Sequence, residues 1–232
     1  EDGKIWTVHL RDDVQFSDGE PLTAKYVVFT FEKAAASGSV VDLNALASVE
    51  AIDETTVQFT LKEAQSTFIN NLVATGIVPE HAYDENYAEN PIGSGPFKLV
   101  QWDKGQQLIV EANEHFYDGT PYFKKLTFLF LNEDAAFAAA QAGTVDFAYI
   151  PAAFSQKEVP GMELKVLETV DNRGIVFPYV PSGETTDDGL PIGNDVTAEA
   201  AIRHAIDIAV DREALIDGVL EGYGTPAYSS VD

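Results

Sequence analysis

The sequence contains no cysteine, which excludes disulfides, thiolate zinc sites and thiol catalysis. Basic residues are scarce: 14 Lys and Arg stand against 38 Asp and Glu, a formal net charge of −24. Charge of that sign repels nucleic acid and anionic membrane surfaces, so neither is an expected partner. No apolar run approaches the ~20 residues of a membrane-spanning helix. Histidine is also sparse: His9, His81, His115 and His204 are all there is. None lies three to five residues from another, so the spacing of a helical metal site is missing. No metal is expected, and these histidines read as surface or capping residues. No Gly-x-Ser-x-Gly elbow occurs. The chain opens with Glu1-Asp2-Gly3-Lys4 rather than Met. It is read as processed or cut, so a missing export signal carries no weight.

Apolar residues make up 45% of 232 positions, enough to bury a core in one large domain or two small ones. Trp6, Val8 and Leu10 alternate with Thr7 and His9, the period of a half-buried strand. Val14 and Phe16 repeat that signal before a Ser17-Asp18-Gly19 turn. Pro21 and Thr23 introduce a helix with Val27, Val28, Phe31 and Ala35 on one face. Strands follow over 48–52 and 57–61, then short helices near 66–73 and 79–87. A hairpin over 97–102 and 108–112 turns at Lys104-Gly105. Residues 124–131, "KKLTFLFL", are apolar on both faces, which predicts a central strand. Residues 133–142 predict a helix with Gly143 as its stop. Strands are predicted at 145–150, 163–170 and 173–180, with a helix beginning near Pro151. A polar loop, 181–194, precedes a helix capped at Thr197, with Ile202, Ala205, Ile206 and Ala209 facing its core. A last helix starts at Asp211, buries Leu215, Ile216, Val219 and Leu220, and stops at Gly222.

No internal repeat is visible. The best boundary is 90–96, where Pro91, Gly93, Gly95 and Pro96 cluster. "GSGPF" is Gly-rich, but it lacks the Lys-Ser/Thr of a phosphate loop and the third Gly of a dinucleotide fingerprint. Pro96 also removes an N–H that a phosphate cradle would use. The stretch reads as the point where the chain crosses between lobes, with φ > 0 expected at Gly93 or Gly95. Asp187, Asp188 and Asp195 offer calcium ligands in principle, but lack EF-hand spacing and read better as a solvated loop. Tyr149, Phe177 and Tyr179 fall near predicted strand ends, where α/β proteins place ligands, with core packing the competing reading. The residues alone describe an acidic, two-lobed α/β protein without visible catalytic machinery, which points to binding.

Four ordered stretches resemble one family. "DGKIWTVHLRDDVQFSDGEPLTAKYVVFTFE" is similar to the early segment of the family-5 extracellular solute-binding proteins, which serve ABC importers of peptides, nickel chelates and related solutes. "IGSGPFKLVQWDKGQQLIVEANEHFYDG" resembles their most recognisable internal motif, and "AGTVDFAYIP" and "AIRHAIDIAVDREALIDGVLEGYGTPAY" resemble two later ones. The resemblance implies a periplasmic-binding-protein-like α/β fold of type II in three parts: a discontinuous lobe, a smaller inserted lobe and a segment that closes over the ligand. This chain covers about half of that pattern, with the small inserted lobe at 1–92 and a main-lobe portion at 93–232.

By the same resemblance the ligand-binding residues are Tyr149 and Ile150 after "VDFA", Asn172 and Arg173 on the next cleft-facing strand, and Ser39 in the small-lobe loop. Arg173 either pairs with a ligand carboxylate or forms a structural ion pair. No catalytic residue and no cofactor is implied. The implied partners are a small peptide or other solute and the ABC permease subunits, with the protein a monomer. The implied location is extracytoplasmic, either periplasmic or lipid-anchored on the outer face of the cell membrane. The arginines that pair with a nickel chelate in the family would fall near 36–39 and 76, and none is there. Nickel-chelate binding, a non-transport solute sensor on the same scaffold, and a hydrolase using paired carboxylates are the rival readings.

Overall fold

The computed structural model describes residues 3–37 and 41–229. The chain divides into two compact units, Glu1–Phe130 and Leu131–Asp232. The first unit opens with strand β1 (Ile5–His9), helix α1 (Ala24–Ser37), β2 (Leu46–Ala51) and β3 (Thr56–Leu61). Strand β3 sits between the other two, antiparallel to both. It carries Val57, Phe59 and Leu61 fully into the core, as the alternation through Phe59 predicts. Trp6 and Val49 lie directly opposite Phe59 on the flanking strands. Helix α1 covers the sheet with Ala24, Val27 and Phe31, and helix α2 (Phe68–Ala74) closes one end with Phe68. The Phe59 ring meets Phe31 edge-on at 4.9 Å and Phe68 at 5.5 Å.

Expected elements here are shortened rather than moved. Val14 and Phe16 lie in a tight turn with a single bridge, Gln15 to Pro21, instead of a strand. The helix predicted near 79–87 is one 3-10 turn, Glu80–Ala82. That turn is held by side chains. His81 Nε2 lies 2.7 Å from an Asp18 carboxylate oxygen. The Tyr26 hydroxyl donates to Glu20 Oε1 at 3.1 Å and lies 3.3 Å from His81 Nδ1. Burial pushes the Asp18 carboxyl up, but the His81 hydrogen bond and the Glu20 N–H outweigh it and hold the group below its ordinary value of 3.8.

The second sheet of this unit has the order β4 (Phe97–Asp103), β5 (Gln107–Ala112), β6 (Lys125–Leu129). The hairpin turns where expected, with Gly105 at φ +76. A register shift between Leu99 and Gln101 leaves Val100 exposed. Strand β6 departs from expectation: it lies at the edge of the sheet, and Phe128 and Leu129 are exposed. Two apolar faces report that a strand needs cover on both sides, not which segment supplies it. Among the described residues only β5 pairs with β6.

The Pro-Gly stretch at 91–96, expected as a crossing between lobes, lies within the first unit and is clamped from both directions. Gly93 O accepts the Ser17 N–H at 2.9 Å, and Ile92 O accepts the Tyr87 hydroxyl at 2.5 Å. From the other side Asn113 Nδ2 donates to Gly95 O at 2.8 Å, and its backbone N–H donates to Pro96 O at 2.9 Å. Asn113 is fully buried. The expected positive φ at Gly93 or Gly95 is not found, because the hydrogen bonds hold the stretch without a left-handed residue. A Cβ at either glycine would meet nothing within 4 Å, and nothing in the structure explains why these positions are glycine.

The second unit holds α3 (Glu133–Gln141), a 3-10 turn (Ala152–Phe154), the two-residue strands β7 (Glu184–Thr185) and β8 (Pro191–Ile192), α4 (Ala200–Ala209) and α5 (Arg212–Val219). Helix α3 is capped by Asn132, whose side chain accepts the Ala135 N–H at 2.8 Å, and ends at Gly143 with φ +66. The strands expected at 145–150, 163–170 and 173–180 are absent. A strand needs a ladder of hydrogen bonds to a neighbour, and among the described residues these segments form none; Val180 O alone accepts a single N–H, from Asn194. Their apolar side chains, including Phe147, Val170 and Val176, are exposed instead.

The polar loop is stapled at its base: Asn194 N–H donates to Val180 O and Ser182 N–H to Asp195 Oδ1. Gly193 is required there, since a Cβ would lie 2.1 Å from Pro181 O and φ is +93. The cap expected at Thr197 is not formed: Asn194 Oδ1 accepts the N–H groups of Val196 and Thr197 in the turn ahead of the helix, and the N-cap itself, Glu199, makes no side-chain cap hydrogen bond. The helix starts two residues later than expected, at Ala200, and the Thr197 hydroxyl is buried without a partner among the described residues. Asp211 does cap α5, accepting the Ala214 N–H at 2.9 Å. The apolar stripes of both helices are less covered than predicted. Ala205, Ala209, Leu215 and Val219 are exposed, while Ile202, Ile206, Ile216 and Leu220 are half-buried. The chain at Gly224 passes beside Ile216 and Leu220 and leaves Leu215 and Val219 open.

Replacing Phe59 with Ala removes the ring on which α1 and α2 converge, and should cost about 3–5 kcal/mol of unfolding free energy in a denaturant titration. Asp18→Asn tests the turn clamp. Because the native Asp18 carboxyl is held below 3.8, its stabilisation is present above that value and lost as pH falls through the lowered one. The stability gap between wild type and Asp18→Asn should therefore close on acidification between about pH 6 and pH 2. A gap unchanged over that range would show that the carboxylate charge does not matter.

Candidate functional site

Four of the five expected ligand-binding residues fall in the second unit. Tyr149 and Ile150 lie in an extended segment between α3 and the 3-10 turn Ala152–Phe154. Both ends of that segment are fixed to α3. At one end the Thr144 N–H and hydroxyl both donate to Ala139 O, at 3.0 and 3.1 Å. At the other end Phe154 stacks on Phe137 with ring centroids 4.5 Å apart and planes 13° from parallel. Lys157 Nζ caps the stack 4.6 Å above Phe154. Phe137 is buried against its own helix. The result presents Tyr149 outward, 72% exposed, with Ile150 half-buried beside it.

Asn172 and Arg173 are both exposed. Asn172 Nδ2 donates to Ser229 O at 2.7 Å, which ties this segment to the end of the described chain. Arg173 makes no ion pair and no hydrogen bond among the described residues, so its guanidinium is available. Among the described residues no hydrogen bond joins the Tyr149–Ile150 pair to the Asn172–Arg173 pair. Ser39 lies outside the described residues.

The set offers one aromatic face, one aliphatic side chain, an amide and a guanidinium fork. It contains donors and apolar surface but neither a nucleophile nor a general base, so it suits recognition of carbonyl or carboxylate oxygens. Groups with displaced carboxyl titration lie elsewhere. Asp13 beside Arg11, Glu89 beside Lys104 and Glu114 beside Lys98 are held low by their cationic hydrogen-bond partners. Asp53 is held low by the Thr55 N–H. All four lie on the surface of the first unit as turn caps or ion pairs.

Among the described residues no three His, Asp or Glu side chains gather as a metal site. Asp195 accepts a backbone N–H instead. No described helix is long and apolar enough to cross a membrane. Sequence reasoning missed Asn113, Asn132 and Asn194, three side chains that hold turns or caps. The available signal was an Asn directly after a strand or before a helical run, where its short amide hydrogen-bonds nearby backbone.

The family model for "Bacterial extracellular solute-binding proteins, family 5 Middle" matches residues 1–232. The oligopeptide-binding protein AppA of Bacillus subtilis is 32% identical over 244 residues, which cover 97% of this chain and 42% of AppA. The probable D,D-dipeptide-binding periplasmic protein DdpA of Escherichia coli is 31% identical, over 97% of this chain and 44% of DdpA. Among solved structures, AppA in complex with a nonapeptide superposes with TM-score 0.76 at 30% identity, over 99% of this chain and 47% of that one. NikZ from Campylobacter jejuni in complex with Ni(L-His) superposes with TM-score 0.75 at 26% identity, over 98% and 46%. The chain thus spans under half the length of these relatives. Its mixed α/β elements are those of the middle part of such proteins, and it belongs to the bacterial extracellular solute-binding proteins of family 5.

Proposed function

We propose that the protein carrying this chain is the substrate-binding component of an ABC importer, capturing an oligopeptide or dipeptide between two lobes and delivering it to the permease. The observation that carries this reading is the likeness, over nearly the whole chain, to a protein solved with a nonapeptide. Sequence relatives named for peptide binding support it. Residues 1–92 are the small inserted lobe and 93–232 a portion of the main lobe. Tyr149 and Ile150 supply a packing surface for the peptide. Asn172 and Arg173 supply donors for its carbonyl or carboxylate oxygens, and Ser39 contributes from the small lobe. No bond is made or broken; affinity comes from enclosure and hydrogen bonding. The protein works as a monomer outside the cytoplasm, periplasmic or lipid-anchored.

The rival with an observation behind it is nickel-chelate binding, because NikZ superposes as well as AppA does. One experiment separates them. The full-length protein is screened by thermal unfolding against peptides of two to nine residues and against Ni(L-His). A bound peptide at a hundredfold excess over Kd should stabilise the fold by about 2.7 kcal/mol. Arg173→Ala should weaken peptides with a free C-terminal carboxylate about tenfold and leave amidated ones unchanged. Stabilisation by Ni(L-His) alone would replace the peptide reading with the nickel one, and stabilisation by neither would overturn both.

A further inference from the structure

The ligand reading leaves the charge of the chain unexplained. The formal charge of −24 is not concentrated in a tail or a single lobe: the sequence places 20 acidic and 9 basic side chains in residues 1–130, and 18 and 5 in residues 131–232. Every described Asp and Glu is exposed except Asp103, which is half-buried. Many stand side by side, as at Asp12-Asp13, Asp53-Glu54, Asp84-Glu85 and Glu133-Asp134. Most of the few cations are already engaged. Lys98 serves both Glu111 and Glu114, Lys104 pairs with Glu89, and Arg11 with Asp13. Lys62 and Arg203 are spent on backbone carbonyls. With 14 basic groups for 38 carboxylates, internal pairing cannot neutralise the surface.

A surface of this kind destabilises its own compact state by self-repulsion at low ionic strength. The repulsion reaches about 8 Å at physiological ionic strength and only about 3 Å at 1 M. Folding in dilute solution would oppose it with a modest core, since the large buried side chains belong almost entirely to the first unit. We infer that this chain is built for concentrated monovalent salt, on the order of 1 M or more, and that its carboxylate surface is held by an atmosphere of hydrated cations. No discrete cation site is part of this inference. The inference stands apart from the ligand reading, because it concerns the unliganded surface.

The test is thermal unfolding of the unliganded full-length protein in KCl from 0.1 to 2 M, with a variant in which Glu50, Glu63, Glu85, Glu158 and Glu168 are all changed to Gln. These five side chains are exposed and make no ion pair among the described residues. The wild-type midpoint should rise on the order of 10 °C across that range. The variant should start higher at 0.1 M and rise less. A wild-type midpoint that stays level or falls with salt overturns the inference. So does a variant with the full wild-type rise, which would trace the effect to salting-out of apolar surface.

Discussion

One buried amide holds the first unit together where its two sheets are joined by chain. Asn113 donates its side-chain N–H to Gly95 O, donates its backbone N–H to Pro96 O, and accepts the His115 N–H on its Oδ1. A buried carbonyl or amide left without a partner costs about 1–3 kcal/mol, so an apolar side chain cannot replace Asn113 there. The same stretch is gripped from the other side by Ser17 and Tyr87. Proline and glycine at 91–96 would suggest a free swivel. The hydrogen bonds describe a clamped corner, and any rotation through it must first break bonds to both flanking parts.

Stability is unevenly distributed. In the first unit the aromatic residues Phe31, Phe59 and Phe68 interlock beneath α1, with Val49, Val57 and Leu61 around them. Among the described residues of the second unit the buried apolar ones are Phe137 and Ala140, both on α3. A unit with so little buried apolar surface cannot offset the conformational entropy of ordering its own chain. The exposed Val170, Val176 and Tyr179 are the side chains that a larger assembly of chain would have to cover. The clamp, the core and the caps therefore define the first unit, whereas the second is defined mainly by its helix ends and by the staple at the base of its polar loop.

What was legible in the sequence follows that division. Local patterns that close on themselves were readable: the alternation through Phe59, the Lys104-Gly105 hairpin, the Gly143 stop and the Asp211 cap all appear as the residues imply. Strand patterns at 145–150, 163–170 and 173–180 were not realised, because alternation reports a face that wants burial while a strand also needs a neighbour. The helical stripes on α4 and α5 are covered only in part, with the period correct and Ile202, Ile206, Ile216 and Leu220 half-buried while Ala205, Ala209, Leu215 and Val219 stay exposed. Thr197 does not cap because the helix begins only at Ala200, past the start that a Thr197 cap would serve, while Asn194 holds the turn before it.

The candidate site was the least legible part, for a chemical reason. Catalysis leaves a trace in sequence because it needs a nucleophile, a base or a metal at fixed spacing, and it displaces titration where those groups meet. The recognition proposed for Tyr149, Ile150, Asn172 and Arg173 needs only aromatic faces and donors, which cores and turns use as freely. Nothing in the spacing of positions 149 and 172 marks them as partners. Nor does an absence of competition single out Arg173: in a chain with 38 carboxylates it makes no ion pair among the described residues, but neither do Lys124 and Lys125.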